Sequence, residues 1–346
     1  ITAKTERYER SHLVKKDNSY KVVRPNDYAY NPMNIRFGAV ARHKGDIPVA
    51  VSGYYDIFTT VHKSDLVFMD SFLTCGPMIT YYNKVSTGSL IEKQRVHFSD
   101  FLEFSLALPP LEERKKIAEI LTTQDKAIEL ERQRIDEILK VKQFFLGKMF
   151  PKKGQAVPEI RFKGFTGVWE QRKLEDYLTV SAEKNTGNIY GRSDVLSVSG
   201  DYGIVNQIEF QGRSFAGASV SNYGVVQTGN VVYTKSPLNS NPYGIIKTNK
   251  GKPGIVSTLY AVYHPKENAF SDFIQVYFEQ HARMNNYMHP LVNKGAKNDM
   301  KVSAENALKG PVCFPSRIEQ ESISAFFSVL DNLITLHQRK LEEEKK

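Results

Sequence analysis

Sliding this chain along itself by 206 positions aligns residues 95–140 with 301–346 without a gap. Identical pairs include Val96/Val302, Leu102/Leu308, Pro109/Pro315, Glu113/Glu319, Ile117/Ile323, Asp125/Asp331, Ile128/Ile334 and Lys140/Lys346. A repeat of this length constrains the fold before local propensity does, because each copy has to build the same unit. It extends backwards more faintly. YKVVRPNDYAY (20–30) resembles YGVVQTGNVVY (223–233), and HKGDIPVAVSGYYDIF (43–58) resembles NKGKPGIVSTLYAVY (249–263). These stretches read as short strands, rich in Val and aromatic residues and broken by Gly, Pro and Asn. The chain is therefore two copies of a mixed, β-rich globule followed by a long helix. It opens on Ile1 rather than Met, so the front of the first copy is expected to be missing.

The helices carry the clearest periodicity. In the first, Ile117, Leu121, Ile128, Ile135 and Ile138 fit a heptad seam, continued by Phe145 and Met149 and interrupted by Gln124, Glu131 and Lys142. In the second, Ile323, Phe327, Leu330, Ile334 and Leu341 hold the equivalent positions and His337 interrupts. A narrow apolar stripe with charge elsewhere belongs to a helix that packs on one partner helix. Pro109, Pro110 and Pro315 lie just ahead, where proline can start a helix but not continue one. Such stripes can dimerise two chains. Two similar stripes in one chain can also pair with each other, and a helix over 117–149 makes a spacer of about 50 Å. The predicted class is α+β: two similar mixed, β-rich domains separated by two long antiparallel helices forming a coiled coil.

Charge suggests what the globules meet. Lys and Arg number 47 against 38 Asp and Glu, a net charge of +9. That surplus suits a polyanionic partner, most commonly nucleic acid, or an ordinary basic surface. Several loops carry Lys or Arg, most of them beside amides: Asn31, Asn34 and Arg36; Arg42 and Lys44, without an amide; Lys93 and Arg95; Lys235, Ser236, Asn239 and Asn241; Lys294, Lys297, Asn298 and Lys301. Basic side chains grip phosphates and Asn can read adenine edges, so these are the candidate DNA-binding residues. Singly, each could be a solvated loop; their recurrence in both copies favours two reading surfaces.

Other classes find little support. Cys75 and Cys313 are far apart, which argues against a disulfide framework and a cysteine zinc site. No apolar run approaches the ~18 residues of a membrane span, so a soluble, cytoplasmic protein is expected. NSNPYG (239–244) touches the Asn-Pro-Pro-aromatic pattern of adenine methyltransferases but lacks the second proline and an upstream glycine loop. Asp299 and Lys301 have the acid-x-Lys spacing of some nucleases, with no preceding Pro-Asp pair. Neither a helical histidine pair nor a phosphate loop occurs, so no catalytic or metal residue is assigned.

LPPLEERKKIAEIL (108–121), KMFPKKG (148–154) and PEIRFKGFTGVWEQRKL (158–174) together resemble the specificity subunit of type I restriction–modification enzymes. The last stretch is like the family's opening of a target recognition domain, with Arg161, Phe162, Gly164, Phe165, Trp169 and Glu170 as its markers. The resemblance implies a first recognition domain over 1–108, a helical spacer and linker over 109–157, a second recognition domain over 158–313 and a second spacer over 314–346. It further implies that each domain reads one half of a split site in double-stranded DNA. The helices would dock two methyltransferase subunits that carry S-adenosylmethionine, so this chain needs no cofactor and no catalysis of its own. Separate restriction subunits would complete the complex. The ~50 Å spacer would place half-site centres about 15 base pairs apart. The competing readings are a coiled-coil scaffold whose globules bind protein, and a methyltransferase in its own right, which would bind S-adenosylmethionine alone.

Overall fold

The computed structural model describes residues 20–90, 94–235, 241–292 and 302–345. The chain divides into two compact units, Ile1–Leu130 and Glu131–Lys346.

In the first unit, β1 (Tyr20–Val23), β2 (Tyr28–Tyr30), β3 (Val40–Arg42), β4 (Val49–Ser52) and β5 (Asp56–Phe58) precede helices α1 (Leu66–Phe72), α2 (Gly76–Val85) and α3 (Phe98–Leu102). β1 pairs with β4, and β2 lies between β3 and β5, all antiparallel. Tyr28, Ala29 and Tyr30 are all buried, which makes β2 the central strand, covered on both faces. A buried tyrosine has to place its hydroxyl. Tyr28 donates to Leu66 O and Asp70 Oδ1, and Tyr30 to Val96 O. Phe58, Phe101 and Phe104 pack around them with Leu73, Met78 and Tyr82.

The second unit contains β6 (Glu170–Lys173), β7 (Leu178–Val180), β8 (Leu196–Ser199), β9 (Gly203–Asn206), β10 (Gly224–Val226), β11 (Val231–Thr234), β12 (Ile246–Thr248), β13 (Gly254–Val256), β14 (Tyr260–Pro265) and β15 (Pro311–Phe314). Its short helices are α5 (Gln207–Gln211), α6 (Ser271–Glu279) and α7 (His281–Met288). The long helices are α4 (Leu111–Lys148) and α8 (Arg317–Glu344).

The repeat is visible in the strand pairing. β10 pairs with β13 as β1 does with β4, and β11 lies between β12 and β14 as β2 does between β3 and β5. α6 and α7 follow as α1 and α2 do, about 206 residues later. The second unit adds β7 at the edge of its main sheet and pairs β6 with β15, so the chain enters and leaves this globule side by side. Trp169, just before β6, sits in the core against Phe150 and Phe273. Arg161 grips the buried Glu319 of α8 through two bonds of 2.7 Å.

Proline ahead of Leu111, glutamates in the first turn and Lys148 in the last favour α4 at both ends. Its 38 residues make it about 57 Å long. Within the second unit α4 and α8 run antiparallel, since Phe145 meets Phe326, Lys142 meets Asp331 and Glu131 meets His337. Of the predicted seam, Ile135, Ile323, Phe327, Leu330 and Ile334 are buried; Ile117, Leu121, Ile128, Ile138 and Leu341 are half-buried. Ile323, Phe327 and Leu330 also extend into the core of the second globule with Leu146, Met149 and Phe150. Two of the seam's polar interruptions are partners of each other, and a third binds an acid of the facing helix. The His337 ring meets the Glu131 carboxylate at 2.6 Å, and Lys142 binds Asp331 at 2.5 Å. Glu131 and His337 are 206 positions apart, so they are repeat counterparts.

Candidate nucleic-acid interface

The polar loops singled out at 30–36 and 234–244 turn out to be the same connection in each unit, β2 to β3 and β11 to β12. In the first, Asn31 N donates to Ala39 O, and the Asn31 side chain accepts from Met33 N, a local turn that Asn favours. In the second, Thr234 N donates to Ile245 O at the corresponding place. Both loops close on an aromatic residue followed by a left-handed glycine, Phe37-Gly38 (φ 80°) and Tyr243-Gly244 (φ 79°). A Cβ on Gly244 would lie 1.8 Å from Thr234 O, so only glycine fits that turn.

The sequence-derived residues separate by environment. Asn34 and Arg95 are exposed. Arg36 is buried; its guanidinium binds Gln94 and lies 5.0 Å from the Phe37 ring centroid. Arg42 is engaged by both oxygens of Asp70 at 2.9 Å and by Asn26. Lys44 stays 69% exposed although its ammonium is 3.1 Å from Asp70. Lys235 is half-buried, and burial together with Lys184 lowers its pKa. Asn241 is half-buried. Lys93, Ser236, Asn239, Lys294, Lys297, Asn298 and Lys301 lie outside the described residues.

Arg42, Lys44 and Asp70 line a concavity of about 370 Å³ beside β3, with Tyr28 and Leu73 beneath. Burial pushes the Asp70 carboxyl up, but bonds from Arg42, Tyr28 and Lys44 outweigh it and hold it below the ordinary range. One carboxylate against two cations leaves surplus positive charge there, available to an anion. Phe37 was not among the sequence-derived candidates, yet it is 71% exposed between Asn34 and the return strand. The aromatic-glycine pair at the same 206-residue spacing is the signal that would have found it. Among the described residues no cluster of His, Cys, Asp and Glu could hold a metal, and no helix is long and apolar enough to cross a membrane.

By sequence, residues 37–140 match the family model of the type I restriction modification DNA specificity domain. This segment is similar to a type I specificity domain. Its match begins at Phe37 and runs through the first globule into α4. No curated protein matches the chain. Solved structures share its fold at low identity. One comes from work on complex assembly and conformational transition of the type I R-M system; it is 15% identical with a TM-score of 0.52, covering 94% of this chain and 80% of that one. Another is the type I restriction-modification S subunit of M. genitalium, 12% identical with a TM-score of 0.54, covering 93% of this chain and 80% of that one. The likeness in fold thus extends beyond the matched segment to most of the chain.

Proposed function

We propose that this chain is the DNA-recognition subunit of a type I restriction–modification complex, with each globule reading one half of a bipartite duplex target. The observation that carries this is the equivalence of the two polar loops. The same strand connection in each copy carries an amide, a basic residue and an aromatic-glycine corner. Two similar reading heads on one chain suit two half-sites, and each can diverge in sequence without disturbing the repeated core. The long helices set the distance between them: an α4 of about 57 Å corresponds to roughly 17 base pairs. The contact between the repeat counterparts Glu131 and His337 suits an approximate internal twofold, which would let two copies of one methyltransferase subunit dock on the helix pair. Those partners would hold S-adenosylmethionine and carry out methylation, and restriction subunits would join the same complex. This chain would hold no cofactor and contribute positioning, not chemistry.

The test is to map methylated adenines in cells carrying the intact system. A split motif with a constant gap is expected. An uninterrupted motif, or no methylation that depends on this chain, would refute the reading.

A further inference from the structure

We infer that the corner between α6 and α7 is a positioning device, in which Glu279 and Arg283 set the angle of the second globule on the helix pair and hence the permitted gap between half-sites. This rests on the bipartite reading above. Glu279 ends α6, and its carboxylate takes a 2.6 Å bond from Lys142 of α4. The same ammonium binds Asp331 of α8 at 2.5 Å. Lys247 of β12 is buried and feels the charges of this group, and the second oxygen of Glu279 is buried without a hydrogen-bond partner. Burial lowers the Lys247 pKa, whereas the two carboxylates outweigh burial and raise that of Lys142. Three charges from the corner and both long helices therefore meet, with the buried Lys247 of the sheet within their field.

Four residues further on, Arg283 makes a second fastening. Its guanidinium donates to Leu146 O in the last turn of α4 at 3.1 Å and to Tyr277 O at 2.7 Å. It lies 4.4 Å from the Phe150 ring centroid and 4.9 Å from that of Tyr277. No carboxylate pairs with it among the described residues, and burial brings its pKa down to about 10. Carbonyls at a helix C-terminus and two ring faces are what hold this cation.

Stability alone is a poor reason for such a corner. Replacing a buried ion pair with apolar residues of similar volume is often neutral or favourable, and the best-attested use of buried charge is to specify one geometry among several. The chain contains the control. The positions 206 residues earlier are Leu73 and Pro77, so the first copy turns the same corner with apolar residues. Packing does not require the polar version; it adds directional bonds that an apolar corner lacks.

The test uses the intact complex in cells, with a plasmid library in which the two half-sites of the mapped motif are separated by the native gap or by gaps one base pair shorter or longer. Wild type should methylate the native gap at least about tenfold better than its neighbours. Glu279→Gln and Arg283→Met should narrow that preference while leaving the bases required within each half-site unchanged. The volume-matched apolar pair Lys142→Met with Glu279→Leu keeps the test open if a single variant is poorly folded, and it should narrow the preference too. Undiminished gap selectivity in the folded variants would overturn the inference. So would loss of the folded state in every variant, shown by circular dichroism, because the corner would then serve stability. A wild-type motif with no gap would instead refute the bipartite reading.

Discussion

Asp70 shows how one side chain decides what its neighbours can do. By accepting from Arg42, Tyr28 and Lys44 it commits Arg42 to linking β3 with α1 and leaves Lys44 as the cation facing solvent. The residue corresponding to Arg42 is the uncharged Thr248: Gln275 accepts from Thr248 N, and the Thr248 hydroxyl donates to Ser271 O. Asp70→Asn should cost about 2 kcal/mol in urea unfolding, the scale of a hydrogen bond to a charged group. The carboxyl pKa is lowered in the folded state, so its stabilisation is present above the unfolded value of about 3.9 and disappears as pH falls through the folded one. The gap between wild type and variant should hold from neutral pH down to about 4 and close below it. A gap unchanged into acid would show that the carboxylate is not the source. Phe37 makes the opposite case. With its ring mostly in solvent, Phe37→Ala should leave unfolding within about 0.5 kcal/mol of wild type and weaken binding to a duplex carrying the mapped motif. Lys297→Ala, if Lys297 touches phosphate, should weaken binding to all duplexes alike. Unaltered binding in both variants would remove these loops from the interface.

At the scale of elements, the polar residues in the long helices prove more informative than the apolar ones. Heptad spacing alone permits many registers, and leucine or isoleucine seams slide at modest cost. Glu131 with His337 and Lys142 with Asp331 penalise any slip, because each would bury an unpaired charge. Arg161 with Glu319 does the same for the segment that opens the second globule. The length of α4 should therefore be transmitted to the target. Inserting one helical turn after Ile128, about 5.4 Å, should lengthen the gap in the methylated motif by one to two base pairs. An unchanged gap in the methylation map would mean that the helix does not measure the site.

For the molecule as a whole, the charge surplus and the duplication act together. Loops that meet phosphate should release counterions on binding, so affinity for a duplex carrying the split motif should fall steeply and log-linearly with salt. A salt-independent affinity would favour a scaffold that binds protein through its globules. Gap length, motif and salt slope are separate readouts, and they assign a failure to the helices, the loops or the charge.

Sequence alone determined the duplication, its 206-residue period, the two helices after proline, and the expectation of two β-rich units, because each leaves a local or periodic mark on the chain. It also carried the markers Arg161 and Trp169, though not their partners. Only the tertiary structure decided that Arg42 is occupied, that Phe37 is exposed, that Glu131 and His337 of the seam meet each other and that Glu279 and Arg283 both grip α4. The physical reason is distance along the chain. Periodicity reports which face of an element is apolar, whereas a buried charge is explained only by its partner, and here the partners lie as far as 206 residues away.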